Sequence, residues 1–248
     1  MAGGSLGALG LVASSRRQAA ESISVRVWLS EQAATYSMVT DRIEAYLGAA
    51  LDLEFWTVDI AFSGVQSVST EDGAAVSSGG EWPTIVGRKR IAGDAVGDVN
   101  LLVTDGQMQT TPTGFGLPHV ASVGGARYIH TLPPREKQES LVPLTTPNRV
   151  IQVLIHEVGH ALGLAHDHGV VFESDGALVA SPMISTYAWD PDSDIDRSRC
   201  GDHYPDGDGT GAEPEPEVGA GASRKLLLSY SACAEQTLRG YQGSVVRL

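Results

Sequence analysis

The sequence predicts an α+β domain, and three features carry that expectation. Apolar residues alternate in ISVRVWL (23–29), the period-two signature of a half-buried strand, and LEFWTVDIAF (53–62) reads as a second strand. Helical spacing runs through 31–50 and returns in a strongly apolar stretch at 147–162. Gly124-Gly125 separates two short runs, HVASV (119–123) and ARYIH (126–130), as a two-residue hairpin turn would. A chain of 248 residues is long enough to bury one sizeable core.

The elements follow in order. Residues 1–21 are mildly apolar, lack a charged start, and read as the remnant of an export signal. The domain then spans 22–248, opening on the strand at 23–29, the helix within 31–50 and the strand at 53–62. Residues 64–95 are rich in glycine, serine and small side chains, and read as a surface excursion. VNLLVT (99–104) is a short apolar run bounded by turn residues, as a buried strand is, and the expected hairpin 119–130 comes next. Thr146-Pro147 reads as an N-cap followed by proline at the first helical position, which starts the helix at 147–162. Apolar residues cover most of that helix, so it is expected between layers with its polar residues turned to a site. A polar region at 189–221 precedes RKLLLSYSACAEQTLR (224–239), expected as a final amphipathic helix.

The long helix ends in HEVGHALGLAHDH (156–168), which holds four of the chain's seven histidines. His156 and His160 stand four apart, hence about 40° around a helix axis and about 6 Å along it, so both can reach one ion. Glu157 is rotated about 100° from His156 and can flank that ion without binding it. Gly163 can take positive φ, end the helix and let the chain return His166 as a third nitrogen. Three neutral imidazoles with an open fourth position describe one catalytic zinc, since a closed structural site takes a fourth protein ligand. Random composition would produce this pattern with a probability on the order of 10⁻⁵, which disfavours coincidence. In that chemistry zinc activates a water and Glu157 is the general base.

HEVGHALGLAH followed by Asp167 resembles the zinc signature of the metzincin metalloendopeptidases. The HALGL core is similar to matrixins, and the aspartate after the third histidine to adamalysins or reprolysins. The resemblance implies a twisted, mostly parallel five-stranded sheet with an antiparallel edge strand, an active-site helix, a methionine turn and a C-terminal helix. It divides the domain into an upper part to about residue 163 and a lower part from 164 to 248. SPMIS (181–185) supplies Met183 for the methionine turn, with Tyr187 a weaker candidate on the metal side. Asp167 would hydrogen-bond behind the ligands and fix the chain near Met183, while His168 reads as solvent-facing. By the same resemblance His119, Val120, Ala121, Ser122 and Val123 form the edge strand that holds an extended substrate by main-chain hydrogen bonds. The alternative for 119–123 is an ordinary interior hairpin. The implied activity is endopeptidase hydrolysis of proteins or peptides by a secreted enzyme. A non-catalytic binding module of the metzincin fold and a zinc hydrolase of non-peptide amides are the rival readings.

Other features bound the partners. Asp190, Asp192, Asp194 and Asp196 alternate, and Asp206, Asp208, Thr210, Gly211 and Glu217 fall at calcium-loop offsets. The first set lacks the required glycine and terminal acid, and Pro214 and Pro216 interrupt the second. Both read as solvated acidic loops, with Ca²⁺ the alternative. Cys200 and Cys233 are the only cysteines; a bridge between them would tie the acidic region to the last helix, and two buried thiols are the alternative. No apolar run is long enough to span a membrane.

The formal net charge of −13 disfavours nucleic acid and anionic membranes as partners. Lysine is scarce (Lys89, Lys137 and Lys225), and an acidic, lysine-poor surface suits a salt-adapted protein. Salt shortens the Debye length from about 30 Å at 0.01 M to about 3 Å at 1 M. The melting temperature is therefore expected to rise between low and molar sodium chloride. A flat or falling trend in a thermal melt series contradicts the salt-adapted reading.

Overall fold

Val99–Val103 (β3) is buried along its whole length, and that burial orders the layers around it. Val99, Leu101 and Val103 belong to the main core, whereas Leu102 faces a second apolar cluster with Trp28, Val76, Trp82, Val86 and Val120. A strand with apolar partners on both faces is an interior strand of a parallel sheet covered on two sides. The computed structural model describes residues 19–94, 96–108, 114–184 and 223–243.

The sheet has five strands: Ser22–Ser30 (β1), Thr57–Gln66 (β2), β3, Gly114–Leu117 (β4) and Val120–Val123 (β5). Their order is β2-β1-β3-β5-β4, with β1, β2, β3 and β5 parallel and β4 antiparallel to β5. This is the mostly parallel, five-stranded α+β arrangement. One face carries Val39–Leu51 (α1) and Thr146–Ala161 (α5), whose Ile43, Leu47, Ile151 and Leu154 join Ile23, Val25, Val27 and Leu29 of β1 in the main core. The other face carries Gly73–Ser78 (α2) and Glu81–Ala92 (α3). There the Trp28 and Trp82 rings meet edge to face at 5.3 Å, and the Trp82 indole N–H donates to the Asn100 carbonyl.

A second sheet lies beyond α5. Leu141–Pro143 (β6), Val171–Ser174 (β7), Ala177–Ala180 (β8) and Ser223–Leu227 (β9) run in the order β6-β9-β8-β7. The Gln152 side-chain amide of α5 donates to the carbonyls of Ala180 and Leu227, fastening the helix to this sheet. The main core continues into this half through Met183, Leu226, Leu228 and Tyr230, and on through Ala234 and Leu238 of Ala232–Leu238 (α6). Among the described residues no helix is long and apolar enough to cross a membrane.

Several sequence expectations are corrected. His119, Val120, Ala121, Ser122 and Val123 do not form the sheet edge. Residues 120–123 are the interior strand β5, and the antiparallel edge is β4. The hairpin closes at Pro118-His119, where His119 holds φ 70°, a conformation uncommon outside glycine. Gly125 instead takes φ 90° and precedes the single helical turn Ala126–Ile129 (α4), so ARYIH is not a strand. The Arg127 guanidinium grips the buried Asp105 carboxylate in two places and holds α4 against the end of β3. Residues 64–95 are more than a surface excursion, because α2 and α3 fold there around Trp82. The stretch 224–239 divides into β9 and α6. The cap of α5 is Thr145, one residue earlier than expected, its hydroxyl accepting from the Asn148 N–H.

Candidate metal centre

The last turns of α5 carry His156, Glu157 and His160. Gly163 follows at φ 92°, and the Gly163 and Leu164 N–H groups donate back to the carbonyls of His160 and Gly159. The chain reverses there, and the 3-10 turn His166–His168 returns His166 towards the helix. The Nε2 of His160 stands 3.0 Å from that of His156 and 3.1 Å from that of His166. His156, His160 and His166 form the only such cluster with metal-ligand geometry among the described residues, and no fourth His, Cys, Asp or Glu joins it.

The outer nitrogens decide what the inner ones offer. His156 Nδ1 lies 2.5 Å from the Pro182 carbonyl, and His160 Nδ1 lies 2.8 Å from that of Leu164. A carbonyl only accepts, so both Nδ1 atoms must carry the proton and both Nε2 atoms present bare lone pairs. Burial pushes the His156 imidazole down to about 3, helped by His160 and His166 and opposed by the Pro182 carbonyl. His160 is also lowered, chiefly by burial. Neutral imidazoles with lone pairs 3.0 Å apart repel unless a cation stands between them. Tetrahedral zinc with Zn–N bonds of about 2.05 Å separates its nitrogens by about 3.3 Å, so the spacing fits such an ion.

Glu157 is 5% exposed and lies against the edge strand β4. Burial alone raises its carboxyl to about 8. A cation held by the imidazoles would lower it again by direct attraction. Asp167 places a carboxylate oxygen 3.2 Å from His168 Nδ1. His168 is buried, contrary to its reading as solvent-facing, and its Nδ1 accepts from the Ala165 N–H. His119 turns its Nδ1 to the Asp98 carbonyl and His130 stacks on Tyr36, and neither joins the cluster. Ser185, Tyr187, Cys200 and His203 lie outside the described residues, as do the acidic positions from Asp190 to Glu217. Cys233 is disulfide-bonded.

Met183 is 1% exposed and sits beneath α5. Its Sδ lies 2.5 Å from the point where a Cβ on Gly159 would stand, so the thioether occupies the notch that this glycine leaves between His156 and His160. The turn is tied at both ends: the Ser181 N–H donates to the Val170 carbonyl while the Ser181 hydroxyl accepts from the Val170 N–H, and Ile184 donates to the Ser181 carbonyl. Tyr230 comes up beside Met183 and donates its hydroxyl to the Ile155 carbonyl. Sequence reasoning did not single out Gly159, Pro182 or Tyr230. Gly159 alone left a signal, being a glycine inside an otherwise strong helix.

No known family model matches the chain, and no curated protein matches it. The packing at Gly159 supplies its own test. Gly→Ala on an exposed helix stabilises by about 1 kcal/mol. At Gly159 the added methyl overlaps Met183, so Gly159→Ala is expected to destabilise by about 1–3 kcal/mol in denaturant unfolding, as overpacking does. The loss should shrink when Met183 is alanine as well. A stabilised single variant contradicts the packing of Met183 beneath the ligands.

Proposed function

We propose that this chain is a zinc-dependent endopeptidase of the metzincin kind, hydrolysing peptide bonds of proteins or peptides. The observation that carries the reading is the convergence of the His156, His160 and His166 Nε2 atoms with Glu157 buried beside them. Imidazole nitrogens suit zinc as they do copper, iron and nickel, and three of them with an open fourth position match the ligand set of a catalytic zinc. Bound zinc supplies a water of lowered pKa and polarises the scissile carbonyl.

Glu157 takes the proton that this water gives up and delivers it to the leaving amine nitrogen. The carbonyls of Pro182 and Leu164 keep the His156 and His160 rings turned with Nε2 inward. Met183 supports the helix from below, and Asp167 steadies the returning turn. Among the described residues nothing pairs with the outer side of β4, so its main chain is available to an extended peptide. The substrate edge is thus assigned to 114–117, in place of 119–123. The disulfide at Cys233 favours an oxidising, extracellular setting.

Glu157→Ala is expected to bind one zinc per chain and to lose about 10²–10⁴ in rate on a peptide library, the usual cost of removing a general base. A chelator should abolish cleavage by the parent. Cleavage by the variant at more than about a tenth of the parent rate contradicts the base assignment.

A further inference from the structure

The edge strand spends two of its four positions on glycine, Gly114 and Gly116, although glycine weakens a strand. Backbone conformation does not demand it. Neither residue is among the glycines with positive φ, so an L side chain fits the dihedral angles at both positions. Space demands it. Period-two alternation puts both glycines on one face of β4, and that face is pressed onto α5.

A Cβ on Gly114 would stand 2.6 Å from Glu157 Oε1, 2.8 Å from Glu157 Cγ and 2.7 Å from Val153 Cγ1. One on Gly116 would stand 2.6 Å from His160 Cβ, 2.7 Å from the Glu157 backbone carbonyl oxygen and 3.1 Å from Glu157 Oε2. The two carboxylate oxygens therefore lie against successive inward-facing positions of the strand. No hydrogen bond among the described residues contributes to holding them. Contact with bare backbone on one side and with the helix on the other is what restricts the carboxylate.

We propose that Gly114 and Gly116 are positioning residues for Glu157, forming a side-chain-free wall that holds its carboxylate in place beside the three histidines. The inference rests on the reading of Glu157 as general base. The two glycines act differently. At 114 the three nearest obstructing atoms all belong to side chains, so an added methyl turns the carboxylate aside and leaves the strand seated. At 116 the obstruction includes helix backbone and the Cβ of a histidine ligand, so an added methyl lifts the strand from the helix.

The test compares Gly114→Ala, Gly116→Ala, Glu157→Ala and the double variant Gly114→Ala/Glu157→Ala, using zinc content, steady-state kinetics on a peptide substrate and thermal melts. Gly114→Ala is expected to keep one zinc per chain and to lower kcat by about 10- to 100-fold with KM nearly unchanged, as a misplaced catalytic group does. Gly116→Ala is expected to raise KM as well, because the strand that receives the substrate moves. The melting temperature lost in Gly114→Ala should shrink by about half or more in the double variant, since the obstructing carboxylate is gone. That comparison needs no activity, so it still decides the packing claim if the parent proves not to be a peptidase. If Gly114→Ala alone fails to fold, folding of the double variant supports the proposal. Parent-like kcat in Gly114→Ala overturns it, as does an equal thermal loss, or failure to fold, with and without Glu157.

Discussion

Repulsion between bare imidazole nitrogens is the constraint around which this fold is arranged. Left free, His156 and His160 would turn their lone pairs to water or take up protons. They do neither, because burial opposes the charge and two backbone carbonyls hold the outer nitrogens. Both carbonyls come from chain that has already left the helix: Leu164 just after the reversal at Gly163, and Pro182 in the turn beneath it. The site exists only when that chain is in place.

The surrounding layers keep it there. The sheet buries one side of α5, while Gln152 and Tyr230 tie the other side to the second sheet and the loop after it. Two notches let neighbours come close. Gly159 admits Met183 from below, and the glycines of β4 admit the strand beside Glu157. In each case a missing Cβ substitutes for a directional bond, and tight packing transmits the position of one element to the next.

The site was legible in the sequence because its determinants are local. Helical period fixes the relation of His156 to His160, and one glycine with positive φ fixes the return to His166. The strands of β1 and β3 were legible for the same reason, since alternation or a short apolar run marks them directly. The edge strand was not. GFGL lacks the β-branched residues that announce a strand, because its glycines serve closeness to Glu157. His119 hid the real turn by adopting a conformation that glycine usually marks, and the Gly124-Gly125 pair was more conspicuous. Trp82 and β9 depend on partners far away in the chain, which no local period records.

Any chemistry at the end of α5 depends on the three imidazoles holding an ion. The most direct measurement is a zinc titration of the metal-stripped protein, with bound metal counted per chain, in the parent and in His166→Ala. One equivalent is expected in the parent, with affinity falling by at least about 10-fold in the variant, because two imidazoles and water hold zinc poorly. No uptake by the parent, or equal affinity without His166, would contradict the centre described here.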